Sequence, residues 1–322
     1  MPSLAALPRT HNAPVVASNF FQRIQEHTRL LHDFAELFKL RVTAMIGATA
    51  WCGAYLAARG NNPVLPASAI LGPVLAITAL AAGSAALNEF LERDTDAKML
   101  RTANRPLVDG RISAGHAVTL SLALSLCAIS YLALRANLLT AALAVLTAVT
   151  YLGVYTPLKK ITPQCTTIGA IPGAMPGVLG WTAVRGSLGL ESLALFAVVF
   201  CWQFPHFYAI AILHRDDYQR AGLRLFPFAG DDGVLTMSLI QKFSVILVLA
   251  SAVLGSFVRH PVACISIALL LGIGFIVSTS SCTRKPSQSE YECLRRRARR
   301  VLRATVIYLP ALFALLVVTH SC

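Results

Sequence analysis

The sequence predicts an all-α, polytopic membrane protein with about nine transmembrane helices. Three observations carry this expectation. Apolar runs near the roughly 20 residues that cross a bilayer recur along the chain. Hydrophobic residues make up 56% of the 322 residues and charged residues only 13%, with a mean hydropathy of +0.63, values that a water-soluble domain seldom reaches. The third observation is where Lys and Arg fall: nearly all lie beside alternate runs.

Residues 1–38 predict a cytoplasmic tail and an interfacial helix, the helix running from Phe20 to Phe38. Pro2, Pro8 and Pro14 stand there among scattered polar residues, and no long apolar core forms, so the segment reads as neither a signal peptide nor a span. Residues 39–322 predict one transmembrane domain. Spans are placed near 42–58, 65–90, 114–134, 138–156, 165–184, 192–213, 237–257, 261–281 and 301–318. The weakest is 165–184, where Gly169, Gly173, Gly177 and Gly180 alternate with Pro172 and Pro176. That pattern predicts a kinked, closely packed helix, tolerated where neighbours satisfy its backbone.

An N-terminus in the cytoplasm puts 24 of the 28 Lys and Arg on the cytoplasmic side and leaves only Arg59, Arg135, Arg185 and Arg259 outside. The net charge of +13 is therefore a topology signal. It excludes a nucleic-acid-binding domain, because the cations are spread between apolar segments and form no folded basic unit. The cluster from Arg295 to Arg303 reads as an anchor on anionic headgroups of the lipid bilayer. Eight cysteines, without a C-x-x-C pair and mostly inside apolar runs, read as small buried hydrophobes in reduced form. Cys322 is the last residue and makes no prenylation signal.

The chemistry concentrates between Asn88 and Ile112, NEFLERDTDAKMLRTANRPLVDGRI, where the second run meets water. Asn88, Glu92 and Asp96 are spaced i, i+4, i+8 and line one face of a helix, with Asp94 close by. Two readings compete: a hard-cation site with oxygen ligands for Mg2+, or a solvated, charge-mixed loop. Lys98, Arg101, Arg105 and Arg111 follow at once, and a phosphate held between Mg2+ and arginines would use both sets. The same topology brings three further stretches to that side. They are Phe38-Lys-Leu-Arg-Val42, Tyr155-Thr-Pro-Leu-Lys-Lys160, and His206 to Pro227 with Asp216 and Asp217. Acids at two helix ends with cations beside them suit a diphosphate, and a tail lying between membrane helices suits an allylic isoprenoid diphosphate. Metal-assisted loss of diphosphate would leave an allylic cation for an electron-rich acceptor to capture in a dry cavity.

N-x-x-x-E-x-x-x-D followed by N-R-P-L resembles the first aspartate-rich motif of the UbiA-type intramembrane prenyltransferases. The likeness runs in order from Lys39 to Pro227. Lys39-Leu-Arg41 resembles a K-P-R opening, Tyr155 to Lys160 resembles Y-T-x-x-K-R, and Gly169 to Trp181 resembles a Gly/Pro-rich run of the family. Trp202-Gln-Phe-Pro-His-Phe207 and Arg215-Asp-Asp-Tyr218 with Ala221-Gly222 resemble the branch whose acceptor is haem. The resemblance implies a ring of nine helices around a central cavity and transfer of a farnesyl group from farnesyl diphosphate to a vinyl group of haem b. The product is haem O, and Mg2+ is the implied cofactor. The product would feed haem–copper terminal oxidases directly or after conversion to haem A, so haem A synthase and oxidase assembly are implied partners.

Carried over residue by residue, the resemblance implies catalytic and metal-holding roles for Asn88, Glu92, Asp96 and Asp217, with Asp94 and Asp216 as further metal candidates. Arg41, Arg105, Tyr155, Lys159 and His206 would bind the substrates. Glu92 stands where the family has Asp, Leu40 where it has Pro, and Leu213 and Ala221 leave the second acid motif with Asp216 and Asp217 alone. His206 is open between a haem-iron contact and a buried histidine hydrogen-bonded to a neighbour. Two other functions stay open: prenylation of an aromatic or quinone precursor, and an ion transporter using intramembrane acids. The short tail points to a bacterial inner membrane.

Overall fold

A computed structural model describes residues 28–58, 66–225, 233–280 and 290–321. The described residues form helices joined by short turns, with no strand. In chain order they are α1 (28–37), α2 (Leu40–Ala58), α3 (Ala67–Asp96), α4 (Ala114–Tyr131), α5 (Leu138–Val149), α6 (Thr156–Leu158), α7 (Cys165–Arg185), α8 (Leu190–Leu213), α9 (Arg215–Arg220), α10 (Val234–Gly255), α11 (Pro261–Ser280) and α12 (Glu290–Ser321). Widened turns of π type extend α4 over Leu132–Ala136 and join α5 to α6 over Thr150–Tyr155. The part of the expected interfacial helix before residue 28 lies outside the described residues.

Seven helices among the described residues are long and apolar enough to cross a membrane. Of the nine expected spans, α2 and α7 form as helices of 19 and 21 residues but fall short in apolarity. The reason is their packing. These two helices press together backbone to backbone, and the small residues that allow it are weakly apolar. A Cβ added to Gly53 would stand 2.0 Å from the Gly177 carbonyl oxygen, and one on Gly180 would stand 1.9 Å from that of Ala50. Pro172 and Pro176 sit inside α7 without ending it. Gln203 of α8 donates its Nε2 to the Ala170 carbonyl at 2.9 Å, tying the proline-bearing helix to its neighbour.

The remaining packing closes the bundle. α8 contacts α7, α10 and α12, and α12 reaches back to α2. A large buried cluster of Leu195, Val198, Leu247, Leu254, Leu312 and Leu316 lies where α8, α10 and α12 meet. α3 continues to Asp96, so the whole acid row is helical as its spacing implied. α12 begins at Glu290, well ahead of the expected span at 301–318, so Arg295 to Arg303 lie on that helix. Among the cysteines, Cys52, Cys165, Cys201 and Cys264 are free and buried as expected, and Cys127 is free but exposed. Cys293, on the charged first turns of α12 and outside the apolar runs, is disulfide-bonded and corrects the expectation of reduced thiols.

α1 docks on the segment between α3 and α4. Leu37 is fully buried among Ala86, Leu107, Ile112 and Ala117. The Asp33 carboxylate accepts from Arg111 Nε at 3.2 Å, and Arg111 Nη2 donates to the Asn104 carbonyl at 3.0 Å. Met99, Leu107 and Ile112 are buried, so this connection is a folded cap over the end of α3.

Candidate active site

The end of α3 carries the site. Asn88 and Asp96 are 2% exposed, and Glu89 only 1%. Polar groups so buried require partners. Asn88 Nδ2 donates to Thr156 Oγ1 at 3.0 Å, and Thr156 Oγ1 donates to the Tyr151 carbonyl at 2.9 Å. The widened turn over Thr150–Tyr155 thus presents Thr156 to α3 and sets Tyr151 and Tyr155 in a stack with ring centres 5.7 Å apart. Gly169 leaves room for that stack: a Cβ there would lie 2.4 Å from the Tyr155 ring.

Glu92 meets Lys159 Nζ at 2.7 Å, and the same ammonium lies 4.5 Å from the centre of the Tyr155 ring. Burial works against the Lys159 charge. The Tyr155, Glu92 and Tyr151 groups outweigh it and hold its pKa above the ordinary lysine range. Asp96 accepts from Arg105 Nη1 at 2.5 Å, while Thr102 Oγ1 donates to the Asp96 carbonyl at 2.8 Å. Arg105 Nε and Lys39 Nζ each lie 3.6 Å from the same Glu89 oxygen. Neither Glu89 oxygen accepts a hydrogen bond.

Asp217, on α9, joins from the far side of the cap. Its Oδ1 accepts the Leu100 backbone N–H at 3.0 Å and pairs with Arg220, and His214 Nδ1 lies 3.9 Å from its Oδ2. Burial alone would raise this carboxyl. Arg220, the Leu100 N–H and His214 instead hold it below the usual aspartate range. His214 is pushed down by burial and by Arg101, which favours the neutral imidazole.

The structure brings together Asn88, Glu92, Asp96, Arg105, Tyr155 and Lys159, and links Asp217 to them through Leu100. Four expected residues stand outside. Asp94, turned away from the row on α3, is 90% exposed beside Arg93. Asp216 and Arg41 are also exposed. His206 is held elsewhere: its Nδ1 lies 2.9 Å from Thr305 Oγ1, and its ring stacks on Trp202 at 4.7 Å, at the contact of α8 with α12. Sequence reasoning missed Lys39, Glu89 and Thr156 as site residues. Lys39 lay in the quoted opening motif, and Glu89 is i, i+7 from Asp96, a same-face spacing that signals a shared neighbour.

The donor set consists of oxygens from Asn88, Glu92, Asp96 and Asp217, which fits Mg2+. These oxygens do not converge on one point, because each carboxylate is paired with a cation: Lys159, Arg105 and Arg220 respectively. Among the described residues, three ligand side chains gather closely only at His32, Asp33 and Glu36. There the Asp33 carboxylate is already paired with Arg111. A cavity of about 230 Å³ lies at the opposite end of the bundle, lined by Leu56, Trp181, Arg185, Glu191, Leu254 and Phe257, and contains none of the acid row.

An acid row set against cations at one end of a helical bundle matches the motifs that pointed to one family. Residues 46–298 match the model of the UbiA prenyltransferase family. The chain belongs to that family. A Protoheme IX farnesyltransferase from Koribacter versatilis (strain Ellin345) is 46% identical over 295 residues, covering 91% of this chain and 94% of that protein. The fold of this UbiA-family chain is similar to that in a study of a digeranylgeranylglyceryl phosphate synthase, with a TM-score of 0.67 at 16% identity over 90% of this chain and 98% of the other. It is also similar to a UbiA homolog from Archaeoglobus fulgidus bound to GPP and Mg2+, with a TM-score of 0.61 at 18% identity over 88% and 99% of the two chains.

Proposed function

We propose that this chain transfers a farnesyl group from farnesyl diphosphate to a vinyl group of haem b, giving haem O and diphosphate. The observation that carries the acceptor is the 46% identity, over 91% of the chain, to a relative named Protoheme IX farnesyltransferase. The site chemistry supports the donor. Lys39, Arg105 and Lys159 converge on the end of α3, a constellation suited to a highly charged anion. In this reading α2 and α7 complete nine spans around a central cavity, the protein lies in a bacterial inner membrane, and the site faces the cytoplasm.

Asn88, Glu92, Asp96 and Asp217 would hold Mg2+, which supplies positive charge to the departing diphosphate. This chain's own residues do the rest. As the allylic C–O bond breaks, its electron pair goes to the diphosphate oxygen, where Lys39, Arg105 and Lys159 take up the charge. The stacked Tyr151 and Tyr155 rings beside Lys159 would face the allylic cation and shield it from water. The vinyl π electrons form the new C–C bond, water adds at the remaining cationic carbon, and a proton leaves to solvent. His206 has its Nδ1 engaged by Thr305, so only Nε2 remains for the haem iron.

Expression in a host without its own haem-farnesylating enzyme, followed by pigment extraction and mass spectrometry, tests the acceptor. Haem O is the expected product. Haem b alone with an accumulating prenylated quinone precursor would overturn the reading in favour of another acceptor. No product with a dissipated ion gradient would overturn it in favour of transport. The orientation has its own test: a single cysteine placed at Lys98 is expected to react only with membrane-permeant reagents in intact cells. Labelling by an impermeant reagent would reverse the topology.

A further inference from the structure

Glu89 is a charged residue of α3 that the reaction as described does not use. It is 1% exposed, and both of its oxygens are buried without a hydrogen bond. A carboxylate left so bare is costly unless it serves its neighbours. Its neighbours are two cations, Lys39 Nζ and Arg105 Nε, each 3.6 Å from Oε1. That distance is an ion pair but too long for a hydrogen bond. Glu89 thus balances the charge of both cations at one buried oxygen.

The backbone is also set for this. Lys39 has φ of 48°, a left-handed conformation that non-glycine residues seldom adopt. It stands in the turn between α1 and α2, with Leu37 buried on one side and Thr43 Oγ1 donating to the Lys39 carbonyl at 3.3 Å. Arg105 is fixed by a second carboxylate, Asp96. Glu89 is therefore the one group that touches both cations flanking the acid row among the described residues.

We propose that Glu89 is a positioning residue that holds Lys39 and Arg105 as a pair of charged donors facing the diphosphate. This inference rests on the prenyl-diphosphate reading of the site. The ionisation of Lys39 agrees with it. Burial pushes the Lys39 ammonium down to about 8, and Glu89 is the largest influence in the other direction. Arg105 and Lys159 push it lower still, and Glu92 works with Glu89. Without Glu89 the Lys39 charge loses its largest support, whereas an arginine at that position would stay charged unaided.

The test is binding of inorganic diphosphate with Mg2+ to the purified full chain, alongside steady-state farnesyl transfer. Glu89→Gln is expected to weaken diphosphate binding and raise KM for farnesyl diphosphate by about tenfold, with KM for the haem acceptor unchanged. Adding Lys39→Arg to Glu89→Gln is expected to recover most of that loss. A merely structural Glu89 would not be rescued this way, so an equal loss in the double variant overturns the proposal. Unchanged diphosphate affinity in a folded Glu89→Gln protein overturns it too. If Glu89→Gln does not fold, Glu89→Asp serves. Its shorter arm is expected to weaken diphosphate binding by about twofold to threefold, again reversed by Lys39→Arg, and an affinity equal to the parent overturns the proposal. Failure of the parent protein to farnesylate haem while the Glu89 effect on diphosphate binding persists would fault the acceptor reading alone.

Discussion

Asp96→Ala is expected to abolish farnesyl transfer while the protein stays folded and inserted. Asp96 closes the acid row at the last turn of α3, 2% exposed, with its Oδ2 2.5 Å from Arg105 Nη1. Two losses follow from one substitution. The donor set for Mg2+ loses a carboxylate, and Arg105 loses its hydrogen-bonded anchor, keeping only the longer contact with Glu89 at 3.6 Å. Charge stabilisation of a departing diphosphate by a metal is worth several kcal/mol, so turnover should fall on the order of a thousandfold. Stability should change far less than activity, because Thr102 donates to the Asp96 backbone carbonyl and this hydrogen bond survives the truncation. Turnover beside a thermal melt checks this, and near-normal turnover would remove Asp96 from the site.

Arg105→Lys is expected to be nearly as damaging although the charge is kept. Arg105 spans two carboxylates, through Nη1 to Asp96 and Nε to Glu89. A guanidinium does this with a rigid fork, and an ammonium on a flexible stem satisfies one partner at a time. The consequence is a misplaced cation and a half-paired buried acid. We expect kcat/KM for farnesyl diphosphate to fall about a hundredfold, equivalent to roughly 3 kcal/mol. Full activity across farnesyl diphosphate concentrations would reduce Arg105 to a topology residue.

These residues show how far the sequence could be read. Periodicity and run length found the helices, because a chain in lipid must satisfy its backbone within each segment. The i, i+4, i+8 spacing found Asn88, Glu92 and Asp96, since helical geometry alone fixes their common face. Spacing failed where tertiary contacts decide. The local geometry of a left-handed turn brings Lys39 to the cluster while Arg41, two residues on, is exposed, and no motif specifies that turn. Glu89 was hidden beside Asn88 because its role depends on cations 50 residues before it and 16 after it in the chain. Asp94 and Asp216 share a composition with the site but not a side of their helices. The pairing of each acid with its own cation is also absent from the motif. Glu92 pairs with Lys159, Asp96 with Arg105 and Asp217 with Arg220, contacts that only the folded chain makes.

One acid and cation cluster at the end of α3 is expected to drive farnesyl transfer to haem. The most direct measurement incubates the purified protein with farnesyl diphosphate, haem b and Mg2+ and quantifies haem O and diphosphate, with a chelated control. The two products are expected in equal amounts, both lost when Mg2+ is chelated. Haem left unmodified by an active, folded protein, or haem O formed equally well after chelation, would contradict it.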